Sequence, residues 1–300
     1  MKNPIYKELK SLKLISDSNL INIGYTAGDK KNKVIKDINK KIIFLEKYEN
    51  ENENAHYNES NDKIDLRKSN KKIKNIKTSF RNDQSPKIQD DKRRVNQFEK
   101  MLKNKDILDV GCAWGGFLRS LKNAKSLNGV ELRSECVNFI KKKIKKINIS
   151  THINSVQKKF DVITMFHVLE HLPYQVETLK QLKPKLKKNG KIIIEVPHAE
   201  DFLILQEELR EFKDFIFWSD HLVLHTYKSL KKILTKAGFK NIKISFYQRY
   251  NFSNHLGWFL RGKPGGHVFY DKIISEKLNN SYCENLIKLR QTDTLIAIAE

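Results

Sequence analysis

Residues 109–116, with the sequence DVGCAWGG, combine small side chains in a way that is typical of a ligand-binding turn. They follow a short apolar run and precede a segment of helical pattern, so the turn lies between a strand and a helix. Small residues there let the backbone approach a ligand closely, and N–H groups at the beginning of the helix point towards it. The alternative is a turn that only joins the two elements.

Glu131 lies twenty residues after Gly111, at the end of the next predicted strand. A carboxylate in that position can accept hydrogen bonds from both hydroxyls of a ribose. The turn and Glu131 together predict a ribose-bearing cofactor at the carboxyl ends of the strands. The turn reads GxAxGG rather than the dinucleotide pattern GxGxxG, and the sequence has no GK[ST] run of a phosphate-binding loop.

A second group of chemically active residues follows the apolar run at residues 160–166. His167, Glu170 and His171 stand at i, i+3 and i+4, which places them on one side of a helical turn. A histidine there can act as general base towards a substrate hydroxyl. Alternatively, the group can hold a divalent metal that orients the hydroxyl and lowers its pKa. The third interpretation is structural, with Glu170 and His171 capping or bracing the next helix.

Two further sets of residues are candidates for lining the pocket that binds the acceptor substrate. His221 and His225 precede a predicted helix, where they either reach over the pocket or are partly buried loop residues. An aromatic and glycine-rich stretch near the end of the chain either shapes an acceptor pocket or packs in the core, and its polar and aromatic members are Tyr247, Tyr250, Asn254, His255, Trp258 and His267. The run KPGG at residues 263–266 predicts a turn or a lid hinge.

The elements that position these residues follow a regular alternation. Strands are predicted at residues 106–110, 126–131, 147–151, 160–166, 191–196, 241–246 and 294–299. Helices are predicted from about residue 90 and at residues 116–123, 134–146, 174–188 and 227–237. This alternation predicts an α/β fold, a mainly parallel sheet with helices on both faces.

The run ILDVGCAWGG resembles the first motif of class I S-adenosylmethionine-dependent methyltransferases, roughly hhDxGxGxG, with Ala113 in place of the middle glycine. The resemblance covers about residues 90–247 and the last strand. It implies a Rossmann-like seven-stranded sheet whose last strand is antiparallel, and S-adenosyl-L-methionine as cofactor. It further implies a ribose contact at Glu131, an adenosyl contact at Phe166, and contacts to the amino-acid end of the cofactor at Asp109, Gly111, Ala113 and Gly115.

The run HVLEHL resembles the region after the fourth strand of ubiquinone-biosynthesis O-methyltransferases. Those enzymes carry an ExxEH arrangement proposed to bind a metal. Here His167 replaces the first glutamate, while Glu170 and His171 match. The stretch QRYNFSNHLGWFLRGKPGGH is similar to tails of bacterial methyltransferases linked to surface-glycan biosynthesis. The resemblances imply O-methylation of a small molecule or of a sugar hydroxyl.

The alternation divides the chain into an N-terminal extension, residues 1–88, and a methyltransferase domain, residues 89–300, with an acceptor-side insertion at 248–290. The predicted features of the extension are two short strands, a turn, a polar linker and a basic surface segment, at residues 19–24, 41–45, 27–29, 49–62 and 63–88.

Composition excludes several classes of protein. The chain has 300 residues, of which 39% are hydrophobic, and no uninterrupted apolar run approaches the ~18–20 residues of a membrane span. The N-terminal residues have no apolar core of a secretory signal, so we expect a cytoplasmic protein. The three cysteines, Cys112, Cys136 and Cys283, form no CxxC pair, which argues against a disulfide framework and a cysteine-based zinc site.

The net charge of +23 leaves a nucleic-acid acceptor open. The excess is spread along the chain, with +9 in residues 1–100 and +14 in the rest, and it reflects either a lysine-rich composition or an electrostatic role. An RNA methyltransferase that uses the basic residues 63–104 is therefore the second hypothesis. No DPPY-like run follows the fourth strand and no cysteine follows a proline, which disfavours base amino- and C5-cytosine methylation. A non-catalytic cofactor-binding scaffold is the third hypothesis.

Overall fold

Two β-sheets organise the part of the chain that the structure describes. The computed structural model describes residues 3–26, 32–48 and 86–300. Within these residues the strands are β1 (Leu20–Tyr25), β2 (Lys33–Asp37), β3 (Ile43–Leu45), β4 (Asp106–Val110), β5 (Ser126–Val130), β6 (Ile147–Ser150), β7 (Phe160–Phe166), β8 (Leu186–Pro197), β9 (Val223–Leu224), β10 (Lys243–Tyr247) and β11 (Thr294–Ala299). The helices are α1 (Pro4–Ser11), α2 (Pro86–Leu102), α3 (Gly116–Ser120), α4 (Ser134–Lys143), α5 (Gln175–Leu182), α6 (Phe202–Leu205), α7 (Arg210–Ile216), α8 (Tyr227–Lys236), α9 (Phe252–Arg261), α10 (Gly266–Tyr270) and α11 (Glu276–Leu289).

The larger sheet has seven strands in the order β10-β11-β8-β7-β4-β5-β6. Strand β4 pairs in parallel with β5 and with β7, and β5 pairs in parallel with β6. The final strand β11 pairs antiparallel with β10. Every residue of β4 is buried, as expected for a central strand that helices cover on both faces. The predicted seven-stranded, mainly parallel α/β sheet is confirmed.

The smaller sheet is antiparallel, with the order β1-β2-β3-β9. The sequence predicted strands at β1 and β3 but missed β2, whose lysines and single apolar pair give little pattern. Strand β9 comes from far along the chain, and Ile43 lies opposite Leu224. The predicted turn at 27–29, the linker at 49–62 and most of the basic segment at 63–88 lie outside the described residues.

The chain divides into two compact units. One comprises residues 1–48, 166–183 and 193–300, and its core contains Ile5, Leu9, Phe44, Leu230 and Ile296. The other comprises, among the described residues, 86–165 and 184–192, and its core contains Ile107, Leu108, Leu118, Ile140 and Ile163. The glycine-rich turn belongs to the second unit, and the histidine segment at 167–171 belongs to the first.

The predicted helix at 174–188 is wrong in its second half, because α5 ends at Leu182 and β8 begins at Leu186. Pro184 between them has no backbone N–H to continue the hydrogen bonds of α5, and Lys183–Lys185 form a short 3-10 turn. Residues 187–191 are polar, so the beginning of β8 has no apolar pattern. A side chain at Gly190 would place its Cβ 3.0 Å from the carbonyl oxygen of Phe160, which explains the glycine inside a strand.

Residues 248–290, predicted as an acceptor-side insertion outside the strand–helix alternation, contain the helices α9, α10 and α11. The KPGG run is the connection between α9 and α10, with Gly265 in the left-handed region at φ 87°. Within the part of the chain that the structure describes, no helix combines the length and apolar character that a bilayer-spanning segment needs.

Candidate active site

The turn after β4 presents its backbone in an unusual conformation. Gly111, Ala113 and Gly115 all have positive φ, at 72°, 48° and 72°. Gly111 and Cys112 donate their N–H groups to the carbonyl of Val130, which ties the turn to the end of β5. Ala113 adopts the left-handed conformation although it has a Cβ, at a cost of about 1–2 kcal/mol. The turn therefore keeps the backbone shape of a glycine at the position where the first motif differs.

Glu131 is the anchor of this turn. Its Oε2 accepts the N–H of Ala113 at 2.8 Å, and its Oε1 accepts the N–H of Arg133 at 3.0 Å. The Arg133 guanidinium donates to both oxygens, at 3.1 and 3.2 Å. Burial alone would raise the pKa of Glu131, but Arg133 holds it below its ordinary value. The Arg133 side chain is half-exposed, whereas the Glu131 side chain is buried.

Asp109 is buried below the turn, where the hydroxyl of Thr164 donates to its Oδ1 at 2.7 Å. Burial raises the pKa of the Asp109 carboxyl to about 7, and the Thr164 hydrogen bond offsets only part of this rise. The side chain is thus half-ionised near neutral pH. A carboxyl with such a shift beside a ligand-binding turn is typical of a functional site.

We expect the affinity for S-adenosylmethionine to fall as the pH is lowered from 7.5 to 6. The ionised Asp109 attracts a cationic ligand, and below its raised pKa this charge is lost, which weakens binding by up to about tenfold at pH 6. Calorimetric titration across this range measures the effect. Asp109→Asn is the control, because it keeps the titration of the ligand's amino group and removes that of the carboxyl. An identical pH profile for both proteins would contradict this role.

Helix α2 contributes residues that the sequence did not single out. A Cβ at Gly116 would lie 2.2 Å from Oδ2 of Asp91, so the glycine makes room for this carboxylate at the beginning of α3. Nη1 of Arg94 lies 3.6 Å from Oδ1 of Asp91, and Arg94 is itself buried. The sequence signal that could have identified them is their position, since Asp91 and Arg94 stand at 3- to 4-residue spacing before Phe98 and thus on the apolar face of the helix.

The segment after β7 differs from the predicted helical turn at its first residue. His167 has φ 53°, outside the helical region, and the short 3-10 turn comprises only Leu169–His171. The left-handed backbone at a non-glycine residue costs about 1–3 kcal/mol and is held by a hydrogen bond from the His167 N–H to the carbonyl of Glu195, at 2.8 Å. The three predicted side chains nevertheless come together.

His167 lies between two fully buried carboxylates. Its Nδ1 is 3.2 Å from Oε1 of Glu170, and its Nε2 is 3.1 Å from Oε1 of Glu195. Nη1 of Arg249 is also 3.1 Å from this Nε2. Burial alone would lower the pKa of His167, but the two carboxylates outweigh it and hold the pKa above its ordinary value. This shift favours the protonated form of His167, whose charge would offset that of the two buried carboxylates.

The imidazole rings of His171 and His221 are held in the same way. Nδ1 of His171 donates to the carbonyl of Asp220 at 2.7 Å, and Nδ1 of His221 donates to the carbonyl of Ile216 at 3.0 Å. Because a carbonyl oxygen only accepts, each ring carries a proton on Nδ1, and in the neutral form of the ring the lone pair is on Nε2. The two rings lie 5.1 Å apart, and Nε2 of His171 is 3.9 Å from Oε1 of Glu170.

The N-terminal residues support this histidine segment from two directions. Strand β3 pairs with β9 directly after His221, and the N–H of Leu45 donates to the carbonyl of Leu222. Glu8 of α1 accepts the N–H of Val176 in the first turn of α5, at 3.1 Å. Their contribution was not predicted, because these contacts join parts of the chain that are far apart in sequence.

Of the remaining predicted residues, some pack in the core and others lie partly or fully at the surface. Trp258 is buried against Phe212 and Phe215, and Nδ1 of His255 lies 2.9 Å from the Tyr282 hydroxyl, so both have packing roles. The other side chains are placed as follows: His225 and Asn254 are buried, Phe166 and Tyr247 are half-buried, and Tyr250 and His267 are exposed.

Comparison with known proteins identifies the family to which the chain is similar. The sequence profile of a family described as "Methyltransferase domain" matches residues 80–244, more than half of the chain. A tRNA U34 carboxymethyltransferase from Nautilia profundicola is 34% identical over 155 residues, covering 47% of this chain and 50% of that protein. A ubiquinone biosynthesis O-methyltransferase from Coxiella burnetii is 28% identical over 100 residues, covering 30% of this chain and 43% of that protein.

Among solved structures, a SAM-dependent methyltransferase from Archaeoglobus fulgidus aligns with 72% of this chain and 94% of its own, with a TM-score of 0.49 and 23% identity. The chain spans about half the length of the curated relatives that it matches.

Proposed function

We propose, from the premise that this chain belongs to the methyltransferase-domain family, that it transfers a methyl group from S-adenosylmethionine to a hydroxyl of a small molecule or sugar. The observation that carries the proposal is the cluster of Glu170, His171 and His221, in which one nitrogen of each imidazole and a carboxylate oxygen lie within 4.8 Å of one another. A hydroxyl is a weak nucleophile until it loses its proton, so its methylation is the reaction that needs such a cluster.

The cofactor belongs, in this proposal, to the turn after β4 and to Glu131. The Gly111–Gly115 backbone lies against the amino-acid end, Asp109 attracts its positive charge, and Glu131 accepts from the ribose hydroxyls. Phe166 packs against the adenosyl group. The sulfonium makes the methyl carbon electrophilic without further activation, so the residues of the chain have two tasks, placing the acceptor in line and removing its proton.

The histidine segment performs the second task, which is the removal of the acceptor proton. His171 is the proposed contact to the acceptor hydroxyl, because its Nε2 has a lone pair and its side chain is partly exposed. Glu170 stands behind it as the negative charge that favours proton removal. His167, whose two ring nitrogens contact Glu170 and Glu195, positions Glu170 rather than accepting the acceptor proton. Both a neutral imidazole and a cation bound by the cluster could assist the deprotonation.

RNA is the second candidate acceptor, favoured by the charge of +23 and by the likeness to a tRNA-modifying protein. Turnover, measured as the S-adenosylhomocysteine released, distinguishes a small-molecule acceptor from an RNA acceptor. Catechols, phenolic acids and hexoses are compared with bulk tRNA at several salt concentrations, and acceptors whose hydroxyls are already methylated serve as controls. We expect turnover with a hydroxylated small molecule that changes little with salt.

Methylation of tRNA alone, with binding that weakens steeply as salt rises, would overturn the small-molecule proposal. Binding of the cofactor without turnover on any acceptor would favour the non-catalytic scaffold.

A further inference from the structure

We propose that Glu170, His171 and His221 bind a divalent first-row transition-metal ion, with His221 as the third ligand. One ligand atom of each residue lies within 4.8 Å of the others. Two imidazole nitrogens and one carboxylate oxygen are a donor set that suits zinc, iron(II), cobalt and nickel. The resemblance to ExxEH enzymes points only to Glu170 and His171, and the ligand from the later loop is the new element.

His167, which occupies the first position of the ExxEH motif, is excluded as the third ligand. Both ring nitrogens of His167 face buried carboxylates, at 3.2 Å from Glu170 and 3.1 Å from Glu195. Both ring nitrogens of His167 are thus already engaged by neighbouring side chains, so His167 is not available as the third ligand. The substitution therefore removes one ligand of the motif, and the fold brings a different one to the same carboxylate.

The orientation of the two remaining imidazoles fits metal binding. A metal-ligating histidine almost always donates its other ring N–H to a carbonyl or carboxylate, which fixes the ring and its tautomer. His171 does so to Asp220 and His221 to Ile216, both through Nδ1 and both to backbone carbonyls. In the neutral form of each ring, Nε2 then carries the lone pair that a metal ion needs.

Glu170 supplies an independent observation. Its side chain has no exposure to solvent, and its Oε2 has no hydrogen-bond partner among the described residues, while Oε1 is taken by His167. A buried carboxylate oxygen without a partner costs free energy, which a metal ion would recover. The two oxygens then have separate tasks, Oε1 towards His167 and Oε2 towards the metal.

The backbone around the cluster is fixed before any metal binds. The N–H of Leu222 donates to the carbonyl of Glu170 at 2.9 Å, which ties the two ligand segments together. The pairing of β9 with β3 holds the chain directly after His221. Such an arrangement reduces the conformational entropy that a metal site must overcome.

Three protein ligands leave a coordination position open, as in catalytic rather than structural zinc sites. An acceptor hydroxyl in that position would lose its proton more easily. This last step rests on the proposed function, whereas metal binding itself does not. When bound, the ion would supply Lewis acidity, and His171 would then be its ligand instead of a proton acceptor.

The test is metal binding by full-length protein without a polyhistidine tag, freed of metal by a chelator and studied without cofactor or acceptor. Zn²⁺ is titrated by calorimetry, and Co²⁺ is followed by its visible absorption, which reports coordination number. We expect one ion per chain, a Kd in the micromolar range or below, and at least about a 100-fold weaker Kd for His221→Ala. The exposed His267→Ala is the matched control and should bind as the wild type does.

Circular dichroism tests whether each variant is folded. If His221→Ala does not fold, Glu170→Gln provides a second variant. Wild-type affinity in both variants, or no stoichiometric binding by the wild type, would overturn the metal proposal. Chelator-resistant methylation of a hydroxyl by protein that binds no ion would overturn the metal site and leave the proposed function intact. Stoichiometric binding without hydroxyl methylation would support the metal site and contradict only the proposed function.

Discussion

Replacing Glu131 with alanine should weaken S-adenosylmethionine binding by about 10- to 100-fold. The substitution removes the proposed acceptor of the ribose hydroxyls, and hydrogen bonds to a charged group contribute about 1.5–3 kcal/mol. It also leaves the N–H of Ala113 without its partner, so the turn that faces the cofactor loses its anchor. Calorimetry on the wild type and the variant measures the two dissociation constants directly.

The control for this substitution is Glu135→Ala, which removes an exposed carboxylate from the first turn of α4 and should leave the affinity unchanged. Because Glu131 also accepts from the Arg133 guanidinium, thermal unfolding of both variants should be recorded. An affinity within twofold of the wild type for a folded Glu131→Ala protein would show that the ribose lies elsewhere.

Replacing Glu170 with glutamine should lower the turnover of a hydroxyl acceptor by roughly 100-fold or more, with little change in cofactor affinity. The substitution keeps the size of the side chain and removes the negative charge that His167, His171 and His221 surround. Whether an imidazole or a bound ion assists proton removal, this charge favours it, and such assistance contributes about 10²–10⁴-fold.

Turnover is measured by release of S-adenosylhomocysteine with the hydroxyl acceptor found in the screen. Glu177→Gln, in the exposed first turn of α5, is the matched control and should retain wild-type turnover. Unchanged turnover in Glu170→Gln together with an intact fold would remove the histidine segment from the reaction.

The central sheet was predictable because its strands are short apolar runs between turns. The run at residues 160–166 matches β7 in full, and the run at 294–299 matches β11. Burial on both faces requires such continuous apolar segments, so the pattern in the sequence and the environment in the fold correspond. The beginning of β8 was not predictable for the opposite reason, since its lysines and glycine face solvent or another backbone.

The two parts of the site differ in how far they could be predicted. The turn after β4 is local, so its glycines and the distance to Glu131 indicated its role. The histidine cluster depends on contacts between distant segments, and neither Glu195 nor the approach of His221 to His171 has a signal in the local sequence. The left-handed backbone at His167 was also unpredictable, because a non-glycine residue adopts it only when its surroundings enforce it.

The central claim, methyl transfer to oxygen, is tested most directly by the position of the transferred methyl group. Purified protein is incubated with S-adenosyl-[methyl-¹³C]methionine and with 2-aminophenol or glucosamine, each of which offers both a hydroxyl and an amine. The ¹³C chemical shift of the product methyl distinguishes the two atoms. We predict an O-methyl product whose formation is lost in Glu170→Gln. An N-methyl product from either probe would contradict the claim.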